Sequence, residues 1–156
     1  METVYTLVPP PGKSSAALWI PFVLVLSLSI VGVLVVGKSL TGARTSRFTL
    51  SPAGLVIRGD LWGRTILAAK LRGAEARVVD LGTETALTPR RRTAGTGLPG
   101  YRSGWWRLAN GEKALIDVTT TDRVVHVPTT QGYALLLSVT EPERFAAQLR
   151  EVAPAG

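Results

Sequence analysis

The run of hydrophobic and polar positions changes character twice along the chain. From Ser14 to Gly37 no position carries a charge, and the centre of that stretch, Leu18 to Val36, reads LWIPFVLVLSLSIVGVLVV, with fourteen Leu, Ile, Val or Phe residues. At 1.5 Å per residue, about 20 helical residues cross a bilayer core of about 30 Å. Those apolar side chains favour insertion by roughly 4 to 8 kcal/mol, less what Pro, Ser and Gly subtract. The pattern predicts a tail over 1–15 and a transmembrane helix over 16–37, with Trp19 at the interface, Pro21 near the start and Lys38 as the anchor at the far end. A buried helix of a soluble protein is one alternative, but such helices rarely run this far without a charge. A cleaved signal peptide is another, with small residues at Thr41 to Ala43. Against it stand the length of the apolar core, an N-terminal region that is not strongly basic, and Pro9 to Pro11 ahead of the core.

A polar linker is expected over 38–46. Beyond it the apolar positions shorten into strand-like runs. RFTLS and LVIRG flank Pro52 to Gly54, a tight hairpin. Thr65 to Leu71 and Ala76 to Leu81 are the next candidate strands. A basic, glycine-rich stretch, Thr88 to Gly104, reads as a loop. WWRLANGEKALIDVT places Asn110-Gly111 between two β-prone runs, the signal of a type I′ hairpin. RVVHVPT alternates and GYALLLSV follows. About seven strands with short connections and no intervening helix predict antiparallel sheets. The period then changes once more. In EPERFAAQLREV, Phe145, Leu149 and Val152 share one helical face, Pro142 sits just inside the start, and Thr140 with Glu143 forms a capping box. This amphipathic helix is expected to pack on the sheets rather than lie on a membrane, because its polar face is mixed in sign.

Charge adds orientation. The 18 Lys and Arg residues against 11 Asp and Glu leave a net charge of +7, and fourteen of the basic residues are Arg. Lys13 flanks the apolar segment on one side; Lys38, Arg44 and Arg47 flank it on the other, which places the C-terminal domain in the cytoplasm. No Cys is present and His126 is the sole His, so thiolate and His-rich metal sites are excluded and a Ser-His-Asp triad is improbable.

GTGLPG, Gly95 to Gly100, matches the spacing of a dinucleotide fingerprint. That fingerprint works only where a helix N-terminus follows and faces the pyrophosphate. Here YRSGWWRL follows and no βαβ unit exists, so the glycines are expected to shape a loop before Trp105. Leu98, Pro99 and Tyr101 make that loop partly apolar. Arg90, Arg91 and Arg92 are the densest charge in the chain, read either as a solvated loop or as a clamp for anionic headgroups. Trp105 and Trp106, adjacent on a strand, point to opposite faces. His126 projects opposite Val125 and Val127, as an outward-facing or hydrogen-bonded residue. Asp117 and Asp122 do not form a catalytic pair in this reading, because Asp122 falls in a turn composition, TTTDR.

RTAGTGLPGYRSGWWRLANGEKALIDVTTTDRVVHVPTTQGYALLLSV, with EPERFAAQLR after it, resembles the bacterial PH-like (pleckstrin homology-like) domain family, over roughly Phe48 to Arg150. The resemblance implies a mainly β fold: a PH-like barrel of two nearly orthogonal sheets capped by the C-terminal helix, here over 47–153. Members of the family often carry one or two membrane helices ahead of the domain. Many eukaryotic PH domains bind phosphoinositides through basic residues at the first hairpin loop. Here that loop, SPAG, is uncharged, with only Arg47, Arg58 and Arg64 near it. The expected protein is therefore not an enzyme. It is a single-pass membrane protein whose cytoplasmic PH-like domain acts as a binding or scaffold module for a membrane-associated protein, with no cofactor, metal, nucleotide or nucleic acid. Arg90, Arg91, Arg92, Leu98, Tyr101 and Arg102 are the candidate contacts, through the Gly95 to Gly104 loop or an open sheet edge. Binding of anionic lipid headgroups by Arg90 to Arg92 is the alternative.

Overall fold

A computed structural model describes residues 16–59 and 61–153, without the side chains of residues 16–18, 35–36 and 38–45. The tail over 1–15 and the Lys38 side chain lie outside the described residues. The chain divides into two compact units, residues 1–37 and 38–156.

Helix α1 spans Ala16–Thr45 and contains Pro21. It continues through the residues expected to form a linker, where no proline stops it. The described side chains from Trp19 to Leu34 are all exposed. Ser27 and Ser29 donate their hydroxyls back to the carbonyls of Leu24 and Val25, at 2.9 and 2.8 Å, so neither presents an unsatisfied donor. Among the described residues, no helix is long and apolar enough to cross a membrane; the span expected over 16–37 is not met by them.

Among the described residues the second unit holds nine strands: β1 (Arg47–Ser51), β2 (Gly54–Arg58), β3 (Arg64–Leu67), β4 (Arg77–Val79), β5 (Pro89–Leu98), β6 (Tyr101–Leu108), β7 (Lys113–Val118), β8 (Val124–Pro128) and β9 (Ala134–Leu137). Helix α2 (Pro142–Val152) follows them. One sheet has the order β1-β2-β3 and the other β4-β8-β9-β7-β6-β5. The mainly β class and the terminal helix agree with expectation; the closed barrel does not. The two sheets keep separate edges, and the isolated bridge between Leu71 and Thr129 lies outside the strands of both. The strand expected over Thr65 to Leu71 stops at Leu67, because 3-10 turns at Ala68–Lys70 and Gly73–Glu75 take the chain from one sheet to the other. Nor are all pairs antiparallel: β7 and β9 run parallel. The chain leaves β7, passes one strand position to form β8, then folds back antiparallel to β8 into the gap, and that return direction matches β7.

Both faces of the larger sheet are covered, which is why β8 and β9 are apolar almost throughout. Leu115, Val125, Val127, Leu135 and Leu137 face the small sheet and α2, where Leu55, Ile57, Ile66 and Leu149 complete one core. Ile116, Val118, Val124 and Leu136 face the other way, under Leu81, Leu87 and Trp106. Arg150 ties α2 down by donating Nε and Nη2 to the Ala76 carbonyl at 3.2 and 2.8 Å.

Two local expectations change. The 108–112 turn is not type I′, since Gly111 alone takes a positive φ, +86°. Gly111 N–H donates to Leu108 and Leu108 N–H to Glu112, a type I turn closed by a glycine bulge, with Asn110 Oδ1 accepting from Glu112 N–H at 2.9 Å. The capping box is also missing: Glu141, not Thr140, is the N-cap of α2, and it makes no side-chain cap. Glu143 instead meets Arg123, and Glu141 meets Arg144.

Candidate ligand-binding groove

The stretch expected to be a glycine-rich loop is a long hairpin. β5 and β6 pair from Pro89–Leu108 to Leu98–Tyr101, with register irregularities between Pro89 and Arg91 and between Arg92 and Ala94. Gly95 and Gly104 face each other across it. Their φ values of +149° and +96° are closed to ordinary L-residues, and a Cβ on Gly104 would meet the Ala94 carbonyl oxygen at 2.5 Å. The glycines permit close backbone approach inside a sheet.

This hairpin separates the candidate contacts. Arg90, Arg91 and Arg92 are exposed at one end of β5. Leu98, Tyr101 and Arg102 gather at the other end, about 20 Å away at strand spacing. There they line a hollow of about 130 Å³ with Val118 and Thr119–Thr121. Tyr101 is buried, at 4% exposure, and cannot serve as an open contact. Trp105 and Trp106 do part to opposite faces, each half-buried. Trp105 meets Tyr133 edge-on at 5.0 Å, with Arg64 and Lys113 at 4.6 and 4.2 Å from the ring. His126 lies opposite Val125 and Val127, but that face is filled. The side chain is 8% exposed and neither ring nitrogen has a hydrogen-bond partner among the described residues. Burial pushes the imidazolium below its ordinary range. Asp117 is buried on β7, while Asp122 is exposed in the 119–123 connection.

A larger groove than the hollow at Tyr101 lies elsewhere. About 540 Å³ of space runs between β1, the 138–141 connection and the first turns of α2. Phe48, Val139 and Phe145 form its apolar part and rest on the inner core. Arg47, Thr49, Arg144 and Gln148 are exposed along it. Arg144 Nη1 reaches Glu141 at 2.9 Å; Arg47 has no ion-pair partner among the described residues. The strand and helix that bound this groove are well separated in sequence, so no local pattern announces it. The one available signal was the aromatic beside a basic residue at the first strand of the domain.

The profile of a bacterial PH domain matches residues 46–153. The chain belongs to the bacterial PH domain family. No curated protein and no solved structure matches it. For a bacterial PH domain, membership supports a binding or scaffold module. In the groove beside β1, half-buried aromatic and aliphatic side chains are rimmed by hydroxyl, amide and guanidinium groups.

Proposed function

We propose that this bacterial PH domain is a membrane-anchored scaffold that binds a protein partner at the membrane surface. The observation that carries the reading is the groove of about 540 Å³ beside β1, an edge strand of the small sheet. Tethering by α1 supports it. Residues 19–34 expose a continuous apolar surface, with Leu28 at 70% and Val33 at 71%, and such a surface is stable only when lipid or protein covers it. Anchoring confines the domain to a thin layer and raises its effective concentration toward membrane partners. The flanking basic residues favour the cytoplasmic side for the domain.

A second reading is supported at the β5 edge. Arg90, Arg91 and Arg92 are exposed, and Arg91 stands directly opposite Arg107. Like charges so placed repel. The four ion pairs among the described residues all lie elsewhere. An anionic headgroup would relieve that repulsion. One experiment weighs both readings: a photo-crosslinking residue is placed at Thr49 or at Thr93 in the full chain in its native membrane. Protein adducts from position 49 support the scaffold. Lipid adducts from position 93 support the headgroup reading. Adducts to lipid alone from both positions overturn the scaffold.

A further inference from the structure

We propose that β1 is a docking strand: an extended segment of a partner protein, with an acidic side chain beside an apolar one, pairs with its free edge and lies in the groove against α2. This rests on the scaffold reading and gives it a place and a chemistry. The two sheets leave four edges open: β1, β3, β4 and β5. β5 carries three consecutive Arg residues and two irregularities in register, while β3 and β4 are only four and three residues long. Charge, bulges and shortness are the features that keep a foreign strand from pairing. β1 is longer, in unbroken register with β2, and has a single charge, at its first residue. Alternate backbone groups on a strand of an antiparallel pair point away from its partner. Apart from the ladder with β2, no backbone hydrogen bond engages residues 47–51 among the described residues.

The side chains around that edge select the occupant. An entering apolar residue meets Phe48, Val139 and Phe145. An entering carboxylate meets Arg47, which has no acidic partner among the described residues, and Arg144, whose link to Glu141 is solvent-exposed and exchangeable. A second copy of β1 would bring RFTLS, which has no carboxylate and adds another Arg, so charge complementarity favours a different, acidic chain.

The test is selection of displayed random heptapeptides on the full-length chain in neutral phosphatidylcholine nanodiscs, followed by affinity measurement on the enriched peptides. Enriched peptides are expected to combine an acidic residue with β-branched or aromatic neighbours. Arg47→Glu and Gln148→Trp, both at exposed positions, should each weaken binding at least tenfold, while Arg91→Glu leaves it unchanged. Selection on Arg47→Glu should shift toward Lys- and Arg-bearing peptides, a change that loss of folding cannot produce. The proposal fails if no peptide is enriched, if enrichment shows no acidic preference, or if both groove variants bind as the parent does. It also fails if Gln148→Trp abolishes a dimer that forms without peptide, which would give the groove to a second copy. Loss of binding in Arg91→Glu alone moves the site to β5 and leaves the scaffold reading standing. Lipid-only crosslinks from both positions 49 and 93 remove that reading itself.

Discussion

His126 shows how burial, more than the charges around it, sets a titration. It is paired in register with Arg77 on β4 and Leu136 on β9, on the face covered by Leu81 and Leu87. Loss of hydration there disfavours the charged ring, so its folded pKa lies below the ordinary 6.5. The unfolded chain therefore takes up the proton first as pH falls. The stability linked to His126 is complete above about 6.5 and declines as pH drops toward the folded value. Glu84 and Glu143 are lowered from 4.5, Glu84 by its bond to Arg77 and Glu143 first by a backbone hydrogen bond and then by Arg123. Their contributions are lost only as pH falls below that value. The window between about 4.5 and 6.5 thus belongs to His126. His126→Leu is expected to flatten the melting temperature across that window. At pH 7 it should cost less than about 1 kcal/mol, since no hydrogen bond to either ring nitrogen is broken. Unchanged acid sensitivity in the variant would refute this account. Strand alternation correctly put His126 opposite two valines. Whether that side was wet depended on the segment that folds across it.

At the scale of elements, the β5–β6 hairpin overrode its own composition. Four glycines and a proline between Gly95 and Gly104 weaken any strand propensity, and they read as a loop. They form strands because Gly95 and Gly104 relax the backbone where the two chains approach, and because Trp106 lies over Gly97, with its ring about 3.2 Å from where a Cβ would be. Gly104→Ala combines a positive φ with a backbone clash and is expected to lower stability by at least about 1–3 kcal/mol, read from the urea midpoint. Gly111→Ala has open space around it and should cost less, through φ alone. Equal losses at the two sites would show that contact between the strands is not the constraint. Helix α2 was more legible, because period and sequence agreed: Leu149 is fully buried and Pro142 opens the first turn. Leu149→Ala should cost about 2–5 kcal/mol by the same measurement. The predicted cap failed because the helix begins one residue later, with Glu141 as N-cap, and the Glu143 carboxylate is shared between its own backbone N–H and Arg123.

For the whole molecule, the proposed division of labour is tether and module. The full chain is expected to stay with membranes through high-salt and alkaline washes and to leave only with detergent. Leu24→Lys with Leu28→Lys, two charges in the middle of α1 each opposed by about 2.5–3.5 kcal/mol at a bilayer centre, should release it to the alkaline wash. Release of the parent chain under the same wash would contradict anchoring. The double substitution should leave the urea midpoint of the β unit unchanged, since the two units are separately compact.

The order of hydrophobic and polar residues was sufficient, unaided, for the β class, most strand positions and the terminal helix. Those features depend on neighbours a few residues apart, where alternation and helical period are written directly. Tertiary structure decided the rest: two open sheets in place of a barrel, the parallel β7–β9 pair, the covered face around His126 and the groove between β1 and α2. Each depends on which distant segments come to lie side by side, and that is settled by burying apolar area across the whole fold, a sum no single stretch of chain contains.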